Sequence, residues 1–223
     1  MSRSLQVLAL AGLCAFSLRA AAETQISAFG GANWNLSSDV KVSGTSLSDG
    51  KYEGVDWDGK SFELPPFWGV RATYWLNANW GIAIDYVHAK AAADLSGSLG
   101  STFSRLEFTD GNNILLIDAL YRFNPVYGGK VLPYVGAGVG VALPHVEATL
   151  VKEGGDNKTY EYQMTGIAAQ VLAGLEYKLN EKWSVFGEAR FSYSNIVADL
   201  DGGGTLKTHL WEPQLAIGLS YRF

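Results

Sequence analysis

The sequence predicts an all-β fold, an eight-stranded antiparallel transmembrane up-and-down β-barrel behind an N-terminal signal peptide. Three observations carry this. The chain ends Leu215-Ala216-Ile217-Gly218-Leu219-Ser220-Tyr221-Arg222-Phe223, apolar at every second position and closing on an aromatic. It opens on a short basic, then apolar, then small-residue segment. Between these ends, eight alternating segments are separated by links that are short and long in turn. In lipid every backbone polar group must be bonded internally, so a closed barrel is the only β solution. Alternation then sends one side chain to lipid and the next to the lumen.

Residues 1–22 read as a secretory signal. Arg3 supplies the basic start, Leu5 to Leu18 is apolar apart from Gln6 and Ser17, and Ala20-Ala21-Ala22 suits a signal peptidase. Residues 23–223 then form one barrel domain, with the outer membrane of a bacterium as its expected location. The single cysteine, Cys14, lies inside the signal, and Leu13 before it is not the small residue a lipoprotein needs. A mature chain without cysteine suggests closure by strand pairing rather than by bridges. Losing Arg3 and Arg19 and no acid moves the formal net charge from −5 to −7. That argues against nucleic acid as a partner. The longest later apolar run, Val131 to Leu143, contains Pro133 and three glycines and is too short for a spanning helix.

The eight segments follow in order. Thr24–Trp34 points Ile26, Ala28 and Ala32 outward. Phe67–Leu76 points Val70, Ala72 and Tyr74 outward and Arg71 inward. Trp80–Lys90 points Ile82, Ile84 and Tyr86 outward and Asp85 inward. Phe108–Phe123 points Leu115, Ile117 and Ala119 outward, with Asp118 and Arg122 inward. Val131–Val146 points Val135, Val139 and Leu143 outward over inward glycines. Tyr160–Leu179 points Val171 and Leu175 outward and Gln170 and Glu176 inward. Trp183–Asn195 points Glu188 and Arg190 inward, and His209–Phe223 points Glu212, Gln214 and Arg222 inward. The links at Asn77, Asn124 and Asn180 are short, as periplasmic turns are. The links Asn35–Leu64, Ala91–Arg105, Ala148–Thr159 and Ile196–Thr208 are long and are expected outside the cell, with both mature ends periplasmic. Eight strands leave an interior just wide enough for side chains, so the inward charges are expected to pair and no conducting pore is expected.

Architecture does not give activity. The mature chain has three histidines, His88, His145 and His209, all near the long-link ends of segments. In His145-Val146-Glu147 the first and third residues share a strand face. With a third ligand such as His88 they make a two-His-one-carboxylate set, which leaves metal positions open for O₂ or substrate. Asp110 enters from the segment between. The candidate catalytic residues are therefore His88, Asp110, His145 and Glu147, with His145, Glu147 and His88 as metal ligands. The plainer reading keeps these histidines as interfacial polar residues. The acids of Asp199-Leu200-Asp201-Gly202-Gly203-Gly204 offer too few ligands for Ca²⁺. Ser192 and Ser194 have no histidine beside them in sequence.

Several blocks resemble the lipid A oxidase family of alphaproteobacterial outer membranes. They include Pro65-Pro66-Phe67-Trp68-Gly69-Val70-Arg71 and Ser104-Arg105-Leu106-Glu107-Phe108-Thr109-Asp110-Gly111. Pro144-His145-Val146-Glu147 is a third. The second and third are the specific ones, because barrel physics does not demand them. The resemblance implies O₂-dependent oxidation of the proximal glucosamine of lipid A to 2-aminogluconate, with peroxide released and a divalent metal ion assisting. The expected partners are lipopolysaccharide of the outer leaflet and, during insertion, the barrel-assembly machinery. Two other functions stay open: a non-enzymatic structural or adhesin-type surface barrel, and a lipid A deacylase or acyltransferase. The terminal aromatic generates a first test. Deleting Phe223 is expected to lower the level of assembled protein in the outer membrane, checked by immunoblot of membrane fractions. An unchanged level would contradict it.

Overall fold

A computed structural model describes residues 23–44, 49–151, 158–201 and 203–223. The expected signal segment, residues 1–22, lies outside the described residues, as do residues 152–157 of the third long link. The strands are β1 Glu23–Asn33, β2 Ser38–Ser43, β3 Gly50–Val55, β4 Trp57–Asp58, β5 Trp68–Trp75 and β6 Trp80–Ala93. They continue with β7 Phe103–Arg122, β8 Val131–Leu150, β9 Lys158–Tyr162, β10 Gly166–Lys178, β11 Trp183–Asp199 and β12 Thr205–Arg222. All pairings are antiparallel. The order β1-β5-β6-β7-β8-β10-β11-β12 returns to β1, where Gln25 meets Arg222 and Asn33 meets Gln214. The terminal alternating run is thus the strand that closes the ring.

The sheet has twelve strands, not the eight expected. Eight make the ring, and the other four lie at the long-link end. β2 pairs with β12 and carries β3, β4 pairs with β6, and β9 pairs with β8. The long links are correspondingly shorter than the sequence suggested, since β7 starts at Phe103 and β11 runs on to Asp199. The cause is apolar burial. Val40, Val42, Trp57, Phe103, Phe108, Val146, Leu206 and Leu210 bury one face of these extensions in a shared core. Their outward faces are polar, which made the segments read as links.

At membrane level the two phases separate cleanly. Ile82, Ile84, Ile117, Val139, Val171, Leu215 and Ile217 are exposed on the outer wall. Trp80 with Tyr121 and Trp183 with Tyr221 pack edge to face at 4.9 Å beside the short turns. Phe191 stacks on Trp211 at 5.5 Å toward the other end. The lumen is filled. Arg71 bonds both Glu188 oxygens at 2.8 Å and Asp85 at 2.9 Å, and Arg190 meets the same Asp85 oxygen at 2.6 Å. Gln170 donates to both Asp118 oxygens at 2.8 and 2.9 Å. Space for this comes from β8, where a Cβ on Gly138 would sit 1.8 Å from Asp118 Oδ1.

Buried ions without partners are far more costly than paired ones, because desolvation is then uncompensated. Arg71→Ala is therefore expected to cost on the order of 3–5 kcal/mol. The check is the temperature at which the folded barrel loses its fast-migrating gel band, which should fall clearly below that of the parent protein.

Candidate metal centre

β8 carries His145 and Glu147 on its outward face, yet they are only 4% and 2% exposed. β9 provides the cover. Tyr162 stands opposite His145 and Tyr160 opposite Glu147. Both rings meet the imidazole edge-on, at 4.6 and 4.5 Å. The tyrosines reach the outer face through a slip. Between Tyr162↔His145 and Gly166↔Ala142 the β9–β10 side advances four residues against three on β8. One extra residue exchanges inward for outward, so Tyr160 and Tyr162 leave the phase that Gln170 keeps.

The other wall is a bulge in β7. From Glu107↔Glu147 to Asn112↔Pro144, β7 advances five residues and β8 three. The surplus pushes Asp110 out over His145. Gly111 holds φ at +112°, where side chains are strained, and a Cβ there would lie 2.5 Å from His88 Nδ1. Asn113 pins the loop by donating to the Gly111 and Leu143 carbonyls at 3.4 Å. The extra residues lie in β7 and not at Pro144, which pairs with Asn112.

Asp110, His145 and Glu147 bring one ligand atom each to within 4.8 Å of the others. His145 Nδ1 lies 3.4 Å from Glu147 Oε1 and 3.7 Å from Asp110 Oδ2. Neither contact has hydrogen-bond geometry, and this buried nitrogen has no partner. A buried imidazole nitrogen facing two carboxylates is a fitting donor set for a divalent cation. Thr109 Oγ1 donates to Glu147 Oε1 at 3.1 Å. Arg105 reaches Glu147 Oε2 at 2.7 Å and also contacts Glu107. The Tyr160 hydroxyl lies 3.3 Å from Asp110 Oδ2. The Asp110 and Glu147 charges push that phenol above its ordinary pKa.

His88 does not join this set, contrary to expectation. It stacks on Trp68 at 5.8 Å, and its Nδ1 sits 2.9 Å from Asn113 Oδ1. The Tyr86 hydroxyl donates to that same oxygen at 2.8 Å. Through Asn113 it supports the bulge that carries Asp110. The donor set is therefore one histidine with two carboxylates, harder than the expected pair of histidines with one. Arg105 and Thr109 sit within a block already quoted, at the same two-residue spacing as Glu107. Tyr160 and Tyr162 were hidden by the slip, because unbroken alternation would place them inside. Between β11 and β12, Leu200 N–H donates to Gly204 O at 3.0 Å.

The model of the outer membrane protein β-barrel domain matches residues 7–223. The chain belongs to this family. As an outer membrane β-barrel protein it sits in the bacterial outer membrane. Its fold is similar to that of OprG from Pseudomonas aeruginosa, at 15% identity and a TM-score of 0.52, covering 91% of this chain and 96% of that one. Neisserial surface protein A gives 19% identity and 0.46, covering 91% and 97%. Ail of Yersinia pestis, solved with the heparin analogue sucrose octasulfate, gives 17% and 0.40, covering 91% and 99%. No curated protein matches the sequence. In this outer membrane β-barrel protein, the expected test of the centre is direct. His145→Ala and Glu147→Gln should each weaken Mn²⁺ binding, read by electron paramagnetic resonance, on the order of 10–100-fold or more. His88→Ala should weaken it less.

Proposed function

We propose that this protein is an outer-membrane lipid A oxidase, converting the proximal glucosamine of lipid A to 2-aminogluconate with O₂. The observation that supports this best is a convergence. The two specific blocks of the family resemblance, Ser104–Gly111 and Pro144–Glu147, lie on neighbouring strands and build one centre. The centre faces out of the barrel wall, beyond the apolar belt, where the long links are expected outside the cell. A lipid anchored in the outer leaflet meets such a site without entering the filled lumen.

The balance is that of a hemiacetal oxidation. C1 of the sugar gives up two electrons and two protons to O₂, forming a lactone and hydrogen peroxide, and water opens the lactone to the aldonate. A divalent ion held by Asp110, His145 and Glu147 would supply Lewis acidity and a meeting point for O₂. Asp110, 43% exposed at its side chain, is the carboxylate that would act as the base and take the proton of the C1 hydroxyl. Arg105 and Thr109 fix Glu147 in orientation. Tyr160 and Tyr162 wall the centre and keep bulk water from His145.

The experiment is a mass spectrum of lipid A from cells with and without the protein. A gain of one oxygen is expected with the parent chain and with His209→Ala, and is expected to vanish with folded His145→Ala or Glu147→Ala. No change with the parent chain would favour a structural or adhesin-type barrel. A lost or gained acyl chain would favour a deacylase or acyltransferase.

A further inference from the structure

A second polar cluster crosses the lumen, on the inward face of the strands and not on the outward face that carries the candidate centre. Glu212 is fully buried and faces inward from β12. Asn112 Nδ2 donates to its Oε2 at 3.0 Å and to Ser194 Oγ at 2.8 Å. Ser192 Oγ donates to the same carboxylate oxygen at 3.3 Å, and Gln214 Nε2 donates to Ser192 Oγ at 3.0 Å. Three buried oxygens in this chain of contacts have no donor: Glu212 Oε1, Asn112 Oδ1 and Gln214 Oε1. The side-chain amide nitrogens are the groups already spent on bonding, so the amide oxygens are the ones left open.

The charge is open as well. Among the described residues Glu212 has no ion pair. The nearest guanidinium along the strands is that of Arg190, opposite Gln214. It is held by Asp85 at 2.6 Å and by Glu188 at 3.4 Å. In the ionic layer below, Arg71 and Arg190 face Asp85, Asp118 and Glu188, so that layer has no positive charge to spare. The cluster lies between two apolar layers, one centred on Phe108 and Val146 and the other on Ile114 and Ala142. A carboxylate in such surroundings must be paired, metal-bound or neutralised.

We infer that Glu212, Asn112, Gln214, Ser192 and Ser194 form an internal site for a monovalent cation of the sodium type. Oxygen-only donors suit a hard cation. A single negative charge among neutral carbonyl and hydroxyl oxygens suits one positive charge better than two. The cation gives each open oxygen a partner and cancels the charge of Glu212. It also ties β7 to β11 and β12 across the lumen. The apolar core above seals it in, so it is taken up as the barrel forms.

The test uses the full mature barrel, refolded into detergent in NaCl or in N-methylglucamine chloride at equal ionic strength. A ligand bound only by the folded state raises its thermal midpoint by mass action. The midpoint of the parent protein should rise with sodium, and Glu212→Gln should abolish the rise. Should Glu212→Gln fail to assemble, Gln214→Leu decides, since losing one neutral oxygen should reduce the sodium dependence. A parent midpoint indifferent to sodium overturns the site, as does an unchanged dependence in the folded variant. An infrared carboxylic-acid band in the parent in sodium, absent from Glu212→Gln, also overturns it by showing a proton where the cation is inferred.

Discussion

Backbone pairing in a medium without water is the constraint on which the rest of this structure depends. An unpaired peptide group in hydrocarbon costs several kcal/mol, so the first strand has to meet the last. The β1–β12 ladder does this. Once the ring closes, each side chain at membrane level has one of two environments. Apolar residues take the outside, and everything polar is confined to a narrow lumen. The interlocked Arg71, Asp85, Glu188 and Arg190 follow from that confinement. Charges that cannot reach water are stable only in each other's company.

Period-two alternation made the membrane part of the fold legible. Ile82 and Ile84 outward with Asp85 inward, or Val171 outward with Gln170 inward, needed only parity. Parity failed where the ladder gains or loses a residue. Tyr160 and Tyr162 belong to the outward face only because an extra residue intervenes before β10, and nothing in Gln163-Met164-Thr165 announces it. The four added strands failed for another reason. Their buried faces, such as Val40 and Val42, are short, and their outward faces are as polar as a loop.

The candidate centre was partly legible for the same reasons. His145 and Glu147 share a face by spacing alone, and the structure keeps that face. Asp110 arrives through a bulge whose marker, Gly111, was present in the sequence, although its reach was not. His88 had the right strand and phase. It lacks the height, because Trp68 and Asn113 capture its ring one rung lower. The orphaned Nδ1 of His145 is the observation on which the proposed metal role rests.

The bulged segment of β7, β8 and β9 has a consequence for the order of assembly. Every residue of the centre falls between Arg105 and Tyr162, in hairpins that are neighbours along the chain. Some of the buried salt bridges instead join distant parts, as when Arg71 meets Glu188 and Arg222 meets Glu23. Loop-closure entropy favours short-range contacts first. Three strands suffice to complete the centre, so it has no topological need for the finished ring. Under the proposed function, metal capture would then be able to precede the seam between first and last strands, and the ion would serve the nascent chain as an early folding nucleus.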